Sequence, residues 1–245
     1  MAIIQQEITC QAGGTKVPGL FYEPDGKGPF AVVMVLHGSD GFKSNHAAIV
    51  RKLAEAGFAS LALTWFGASA ERAHWDQVRQ EDILAGVAWL KKSTAVDCNR
   101  LGLIGFSRGG GLALIMGSLI PETRAIVNYF GLTAWKNGME EFRNLPLNQS
   151  EPLDFVKNIS CPILSFHGAK DTVVSVENTL ELDRSCQKYG LDHTVILYSD
   201  LDHSFIWPGD KYDKQAHADA WDKTLLFLRT NLSAKEESHG YDKAG

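Results

Sequence analysis

Gly105-Phe106-Ser107-Arg108-Gly109 follows the apolar run Leu101 to Ile104 and leads into a helical pattern from Arg108 to Leu119. A G-x-S-x-G pentapeptide at a strand-to-helix junction turns so sharply that its serine takes a strained backbone and projects its hydroxyl into open space. Residues two before and two after the serine would collide across that turn if they carried a Cβ, and glycine at both places removes the collision. The context supports the turn. Leu112, Ile115, Met116 and Leu119 recur at i, i+3, i+4 and i+7, giving one apolar helical face, and Pro121 stops the helix just beyond.

A serine hydroxyl is a poor nucleophile at neutral pH, so this turn needs a histidine base and a carboxylate that orients it. In a chain of this pattern they follow in the order serine, acid, histidine. The apolar run Ile163 to Phe166 ends in His167-Gly168-Ala169-Lys170-Asp171, which puts Asp171 in a loop just past a strand. Thr194 to Tyr198 is followed by Ser199-Asp200-Leu201-Asp202-His203, which puts His203 in the loop after the next strand. Asp200 and Asp202 compete with Asp171 for the acid role. A residue adjacent to His203 in a short loop rarely reaches the far side of its imidazole, so Asp171 is the expected acid.

The other histidines read as structural. His46, His74, His217 and His239 lie in polar or helical surroundings and are expected to face solvent or cap a turn. His193 opens a strand with no acid placed to orient it, and His167 stands before Gly168, where its ring is expected to bond backbone.

Acyl transfer also needs two N–H donors for the oxygen that becomes negative. Arg108, the residue after the serine, supplies one by position. The other is expected from the loop His37-Gly38-Ser39-Asp40-Gly41-Phe42 after the strand Ala31 to Leu36, with the Ser39 amide as the candidate. Trp65, Phe66 and Trp135 end or follow strands on the same edge and are candidate pocket walls, each equally compatible with core packing. Arg72, Arg79, Arg108 and Arg143 are arginines able to hold a carboxylate, and none is singled out.

Outward from the turn, apolar strands alternate with amphipathic helices. Ile3 to Ala12 and Lys16 to Phe21 read as a hairpin about Gly13-Gly14, and Ala59 to Leu63 and Ala125 to Tyr129 as further strands. Helices are expected over Asn45 to Ala56, Asp76 to Lys92, Val176 to Tyr189 and Gln215 to Asn231. Such alternation implies an α/β fold with a mostly parallel sheet of about eight strands and helices on both faces. One domain over residues 1–232 is expected, with a polar tail over 233–245. The stretch Gly131 to Ser160 is too short and broken for a large cap domain.

The 245 residues carry a net charge of −5, which argues against a nucleic-acid partner. No apolar run approaches the roughly 18 residues that span a bilayer, and Met1 to Ala12 reads as a strand, not as a secretory signal. Cytoplasmic localisation and a monomer or small homo-oligomer are the expectation. Cys10, Cys98, Cys161 and Cys186 are widely spaced, so no metal site is indicated, and no organic cofactor is needed.

These residues in this order resemble the α/β-hydrolase superfamily, and within it the dienelactone hydrolase family. The resemblance extends to Asp82-Ile83-Leu84-Ala85-Gly86-Val87-Ala88-Trp89-Leu90, to the turn at Asp97 to Arg100, to Ala125 through Gly131, to Cys161-Pro162-Ile163-Leu164 and to the closing helix. It implies the α/β-hydrolase fold and hydrolysis of carboxylic esters. Two departures matter. Dienelactone hydrolases proper carry a cysteine nucleophile where this chain has Ser107, and a glutamine-glutamate pair where it has His37 and Gly38. The expectation is therefore a serine hydrolase for small soluble esters or lactones, working through an acyl-enzyme. The loop at His37 and the stretch Leu61 to Gly67 are also similar to the catalytic domain of bile-acid and acyl-CoA thioesterases, so acyl-CoA hydrolysis is the alternative. A serine peptidase and a non-catalytic binding protein stand further off.

Overall fold

The computed structural model describes residues 3–67, 70–74, 77–135 and 150–234. Eight strands among them form one sheet in the order β1-β2-β4-β3-β5-β6-β7-β8. β1 (Ile4–Ala12) and β2 (Thr15–Glu23) are an antiparallel hairpin with Ala12 opposite Thr15. Its two-residue turn needs positive φ at both central positions, and Gly13 and Gly14 supply it at 52° and 92°. β2 also runs antiparallel to β4 (Ala59–Leu63). From there β4, β3 (Phe30–Leu36), β5 (Val96–Phe106), β6 (Thr123–Tyr129), β7 (Ile163–Gly168) and β8 (His193–Tyr198) are parallel.

Parallel strands buried on both faces need helices on both faces. On one side Leu61, Leu63, Leu101 and Leu103 pack with residues of α2 (Gln80–Leu90), α3 (Arg108–Leu119) and α5 (Glu177–Tyr189). On the other, Val33, Val35, Ile104 and Val127 pack with α1 (Ser44–Glu55) and α6 (Lys214–Leu232). A short helix α4 (Pro152–Phe155) and one 3-10 turn (Val156–Asn158) lead into β7. The sequence expectation of an α/β-hydrolase fold with a mostly parallel sheet of about eight strands holds. The expected cap-free stretch is described only at its ends, because 136–149 lie outside the described residues, as do Arg143, His239 and residues 235–245 of the tail.

Two boundaries differ from expectation. β5 begins at Val96, because Phe30 and Ala31 pair with Val96 and Asp97 before the register jumps to Val32 opposite Leu101. The turn expected at Asp97 to Arg100 is thus a bulge inside the strand, closed by Arg100 Nε on Asp97 Oδ2 at 2.8 Å. The second helix begins at Gln80 instead of near Asp76. Arg79 is extended, and Asp82 turns back to accept its N–H at 2.9 Å, which caps the helix there.

Candidate active site

Phe106, Tyr129 and Phe166 occupy matched positions on β5, β6 and β7, and their rings stack in sequence at 5.0 and 4.8 Å. The chain leaves the sheet from this aromatic floor. Every residue from Leu101 to Gly117 is buried except Ser107. Ser107 joins β5 to α3 with φ 53° and ψ −119°, a conformation that L residues rarely adopt. The two glycines of the pentapeptide are required by contact. A Cβ on Gly105 would stand 2.2 Å from the carbonyl oxygen of Gly109, and one on Gly109 would stand 2.2 Å from that of Leu36.

Asp171 lies in the loop after β7 with its side chain fully buried. Its Oδ2 meets His203 Nδ1 at 2.7 Å and His167 Nε2 at 3.2 Å, while its Oδ1 accepts the Val173 and Val174 amides at 2.9 and 2.8 Å. Burial pushes the Asp171 pKa up. The hydrogen bonds from His167 and His203 outweigh it and hold the value down at about 2. A carboxylate accepts only, so His203 Nδ1 carries a proton and, in the neutral ring, Nε2 is left with the lone pair.

The rival acids are engaged elsewhere. Asp202 accepts the Thr172 and His203 amides and an ammonium from Lys211, and Asp200 pairs with Lys170 in solvent. His167 behaves as the sequence suggested, with Nε2 donating to the Val174 carbonyl at 2.8 Å and Nδ1 facing the Thr179 hydroxyl at 2.7 Å.

Both loops meet the segment after β6. The Leu132 N–H donates to the Ser107 carbonyl at 2.9 Å, and the Phe130 ring packs edge-to-face on His203 at 4.7 Å. Phe130 has φ 40° and Ser204 has φ 63°. Together with Ser107 they are the positive-φ residues other than glycine among those described, and all three stand at this place. The sequence reading missed Phe130, because no residue pattern announces a left-handed aromatic.

The loop after β3 closes the other side. A Cβ on Gly38 would touch the Ser107 Cβ at 3.2 Å, which sets the loop against the turn. His37 stacks on Trp65 at 4.3 Å and 13°, and lies 5.0 Å from Phe66. Trp65, Phe66 and Trp135 are all buried. Trp135 Nε1 donates to the Ser150 carbonyl at 3.0 Å, and its ring lies 5.1 Å from the Arg108 guanidinium, which burial pulls down to about 10. Arg72 is tied to Asp82.

Two histidine readings need correction. His46 is buried instead of facing solvent, although it does cap α1 by accepting the Lys43 amide at 3.0 Å. His193 does have an acid: Nδ1 meets Asp183 of α5 at 3.1 Å and Nε2 meets the Ser165 hydroxyl at 2.8 Å. This second Ser-His-Asp chain joins β7, β8 and α5. Ser165 has no exposed surface, so no substrate reaches it.

The model of the dienelactone hydrolase family matches residues 17–232. A protein of Synechocystis sp. named "Putative carboxymethylenebutenolidase" is 24% identical over 246 residues, covering 92% of this chain and 96% of its own. A Bradyrhizobium sp. protein named "Probable 2-oxo-3-(5-oxofuran-2-ylidene)propanoate lactonase" is 31% identical over 156 residues, 63% of this chain and 60% of that one. The crystal structure titled "Putative Dienelactone Hydrolase", from Klebsiella pneumoniae subsp. pneumoniae, shares the fold with a TM-score of 0.80 at 20% identity, over 93% of this chain and 99% of its own. With its match running from within β2 to the last residue of α6, the chain belongs to the dienelactone hydrolase family.

Proposed function

We propose that this protein hydrolyses carboxylic esters and lactones of small soluble molecules through an acyl-enzyme on Ser107. The observation that carries the reading is the 2.7 Å bond from His203 to the buried Asp171, joined through the segment Phe130 to Leu132 to a serine in a strained and partly exposed turn. Ser107 Oγ attacks the ester carbonyl carbon while its proton passes to His203 Nε2. Asp171 holds Nδ1–H and stabilises the imidazolium. The carbonyl oxygen takes the negative charge and is held by the amides of Ser39 and Arg108, the second at the positive end of α3. Collapse breaks the carbon–oxygen ester bond, and the leaving alkoxide takes the proton from His203. Water then gives a proton to the same nitrogen and attacks the acyl carbon, and collapse breaks the bond to Ser107 Oγ, which takes that proton back from His203 as the acid leaves.

Trp65, Phe66 and Trp135 form the apolar side of this site. The names of the two relatives, a butenolidase and a lactonase, favour lactones among the substrates. Among the described residues no helix is long and apolar enough to cross a membrane. We place the enzyme in the cytoplasm as a monomer or small homo-oligomer, where its four free cysteines stay reduced.

An alkyl fluorophosphonate should label the wild-type chain once, at Ser107, and turnover of p-nitrophenyl acetate should vanish in labelled protein and in Ser107→Ala. Mass spectrometry locates the adduct. Undiminished turnover by Ser107→Ala sinks the proposal.

A further inference from the structure

The Gly38–Ser39 peptide is held from one side only. His37 Nδ1 lies 2.9 Å from the Gly38 carbonyl oxygen, and the Gly41 N–H reaches the same oxygen at 3.3 Å. A carbonyl accepts only, so Nδ1 carries the proton and donates. The Ser39 N–H belongs to the same planar trans unit, so it points opposite to that carbonyl. It donates to no other group among the described residues. Gly38 itself lies against Ser107, close enough that a Cβ would come within 3.2 Å of the serine Cβ.

We infer that His37 is a positioning residue: by holding the Gly38 carbonyl it fixes the Gly38–Ser39 peptide with its N–H turned toward the oxygen that becomes negative on Ser107 attack. This rests on the reading of Ser107 as nucleophile. Without the clamp only the longer bond from the Gly41 N–H opposes rotation, and the opposite orientation presents a carbonyl oxygen, which repels the developing charge. Glycine at 38 makes that rotation easy, because it has no Cβ to oppose it.

The imidazole is suited to the task. It is 1% exposed and stacked on Trp65, with Phe66 at 5.0 Å and the His46 ring at 5.8 Å, so it has one orientation. Burial, the largest influence, pulls its pKa down to about 3, and the Gly38 carbonyl only partly offsets this. The ring therefore stays neutral across the working range and keeps a single proton, the one on Nδ1. Its other nitrogen has no hydrogen-bond partner among the described residues, so none of them competes for the ring.

Two substitutions separate the donor from the ring. His37→Phe keeps an aromatic face on Trp65 and removes Nδ1–H. His37→Asn places an amide N–H near the position of Nδ1 and removes the ring. For His37→Phe we expect kcat on p-nitrophenyl acetate to fall by about 10²-fold to 10³-fold, as for loss of one oxyanion donor, with KM little changed. The inhibition constant of an aryl trifluoromethyl ketone, which forms an oxyanion on the serine, should rise in step with the loss of kcat. His37→Asn should recover most of both effects even if it melts earlier. Full kcat and full ketone affinity in His37→Phe overturn the inference, as does an equal loss in His37→Asn. Should His37→Phe not fold, His37→Asn decides alone, by keeping or losing ketone affinity relative to its KM. Ser107→Ala is run alongside: if it retains turnover, the nucleophile reading has failed, whereas an inactive Ser107→Ala with a fully active His37→Phe removes the clamp alone.

Discussion

Ser107 pays for its exposure with backbone strain, and that strain is separable from its chemistry. An L residue in such a conformation costs about 1–3 kcal/mol. Glycine there avoids the cost but loses about 0.5–1 kcal/mol to unfolded-chain freedom. Ser107→Gly should therefore be more stable than Ser107→Ala by about 1 kcal/mol, a Tm difference of about 2–4 °C for a chain of this size. Equal melting of the two variants by calorimetry would show that the turn is unstrained. At this scale the sequence spoke clearly where chemistry depends on local order. Ser107, Asp171 and His203 each follow an apolar run, and the structure puts the last two in contact. Asp183 was illegible as a partner for His193 because the two stand on different elements, α5 and β8, and only packing brings them together.

The stretch that carries α2 depends on one buried carboxylate. Asp82 is fully buried, caps the helix by accepting the Arg79 amide, and receives two nitrogens of Arg72, with Nη2 on Oδ1 at 2.9 Å. Arg72 Nη2 also reaches the Thr15 hydroxyl of the edge hairpin at 3.3 Å, so the pair links helix to strand. Removing the acid leaves a largely buried guanidinium unpaired. Asp82→Ala should lose about 3–5 kcal/mol in urea unfolding, and a loss below about 1 kcal/mol, the range of exposed pairs, would mean the bridge is idle. The same residue explains a misread boundary. Periodicity alone extends the helix back toward Asp76, but the cap is made by a side chain three residues inside it, and which acid turns back is decided by the arginine it meets. Strand cores were legible as apolar runs. The start of β5 was not, because Asp97 to Arg100 are polar and join the ladder only through the bulge.

For the whole molecule, histidines held neutral set the acid limit. His37, His46, His193 and His217 are each held below the ordinary imidazole pKa, foremost by burial, His37 to about 3 and His46 to about 4. A folded-state value below the unfolded one means the stabilisation is complete above about pH 6.5 and drains as pH falls. His37 and His46 each contribute a slope of about 1.4 kcal/mol per pH unit between that point and their folded values, and His193 and His217 add to it in the same direction. Urea unfolding between pH 7 and pH 5 should show stability falling by several kcal/mol, and a flat profile would refute the assignment. Asp171, held down at about 2, adds its loss only at far lower pH. The parallel order of the sheet also has a consequence in time. The candidate residues sit after β3, β5, β7 and β8, in loops spread from position 39 to position 203. A chain leaving the ribosome holds its serine turn long before it holds His203, the base of the proposed mechanism. His203 emerges just ahead of α6, the helix that seals one face of the sheet. Under the proposed mechanism hydrolysis is thus an end-point signal of translation: chains that stop before position 203 stay silent however much of the sheet they have built.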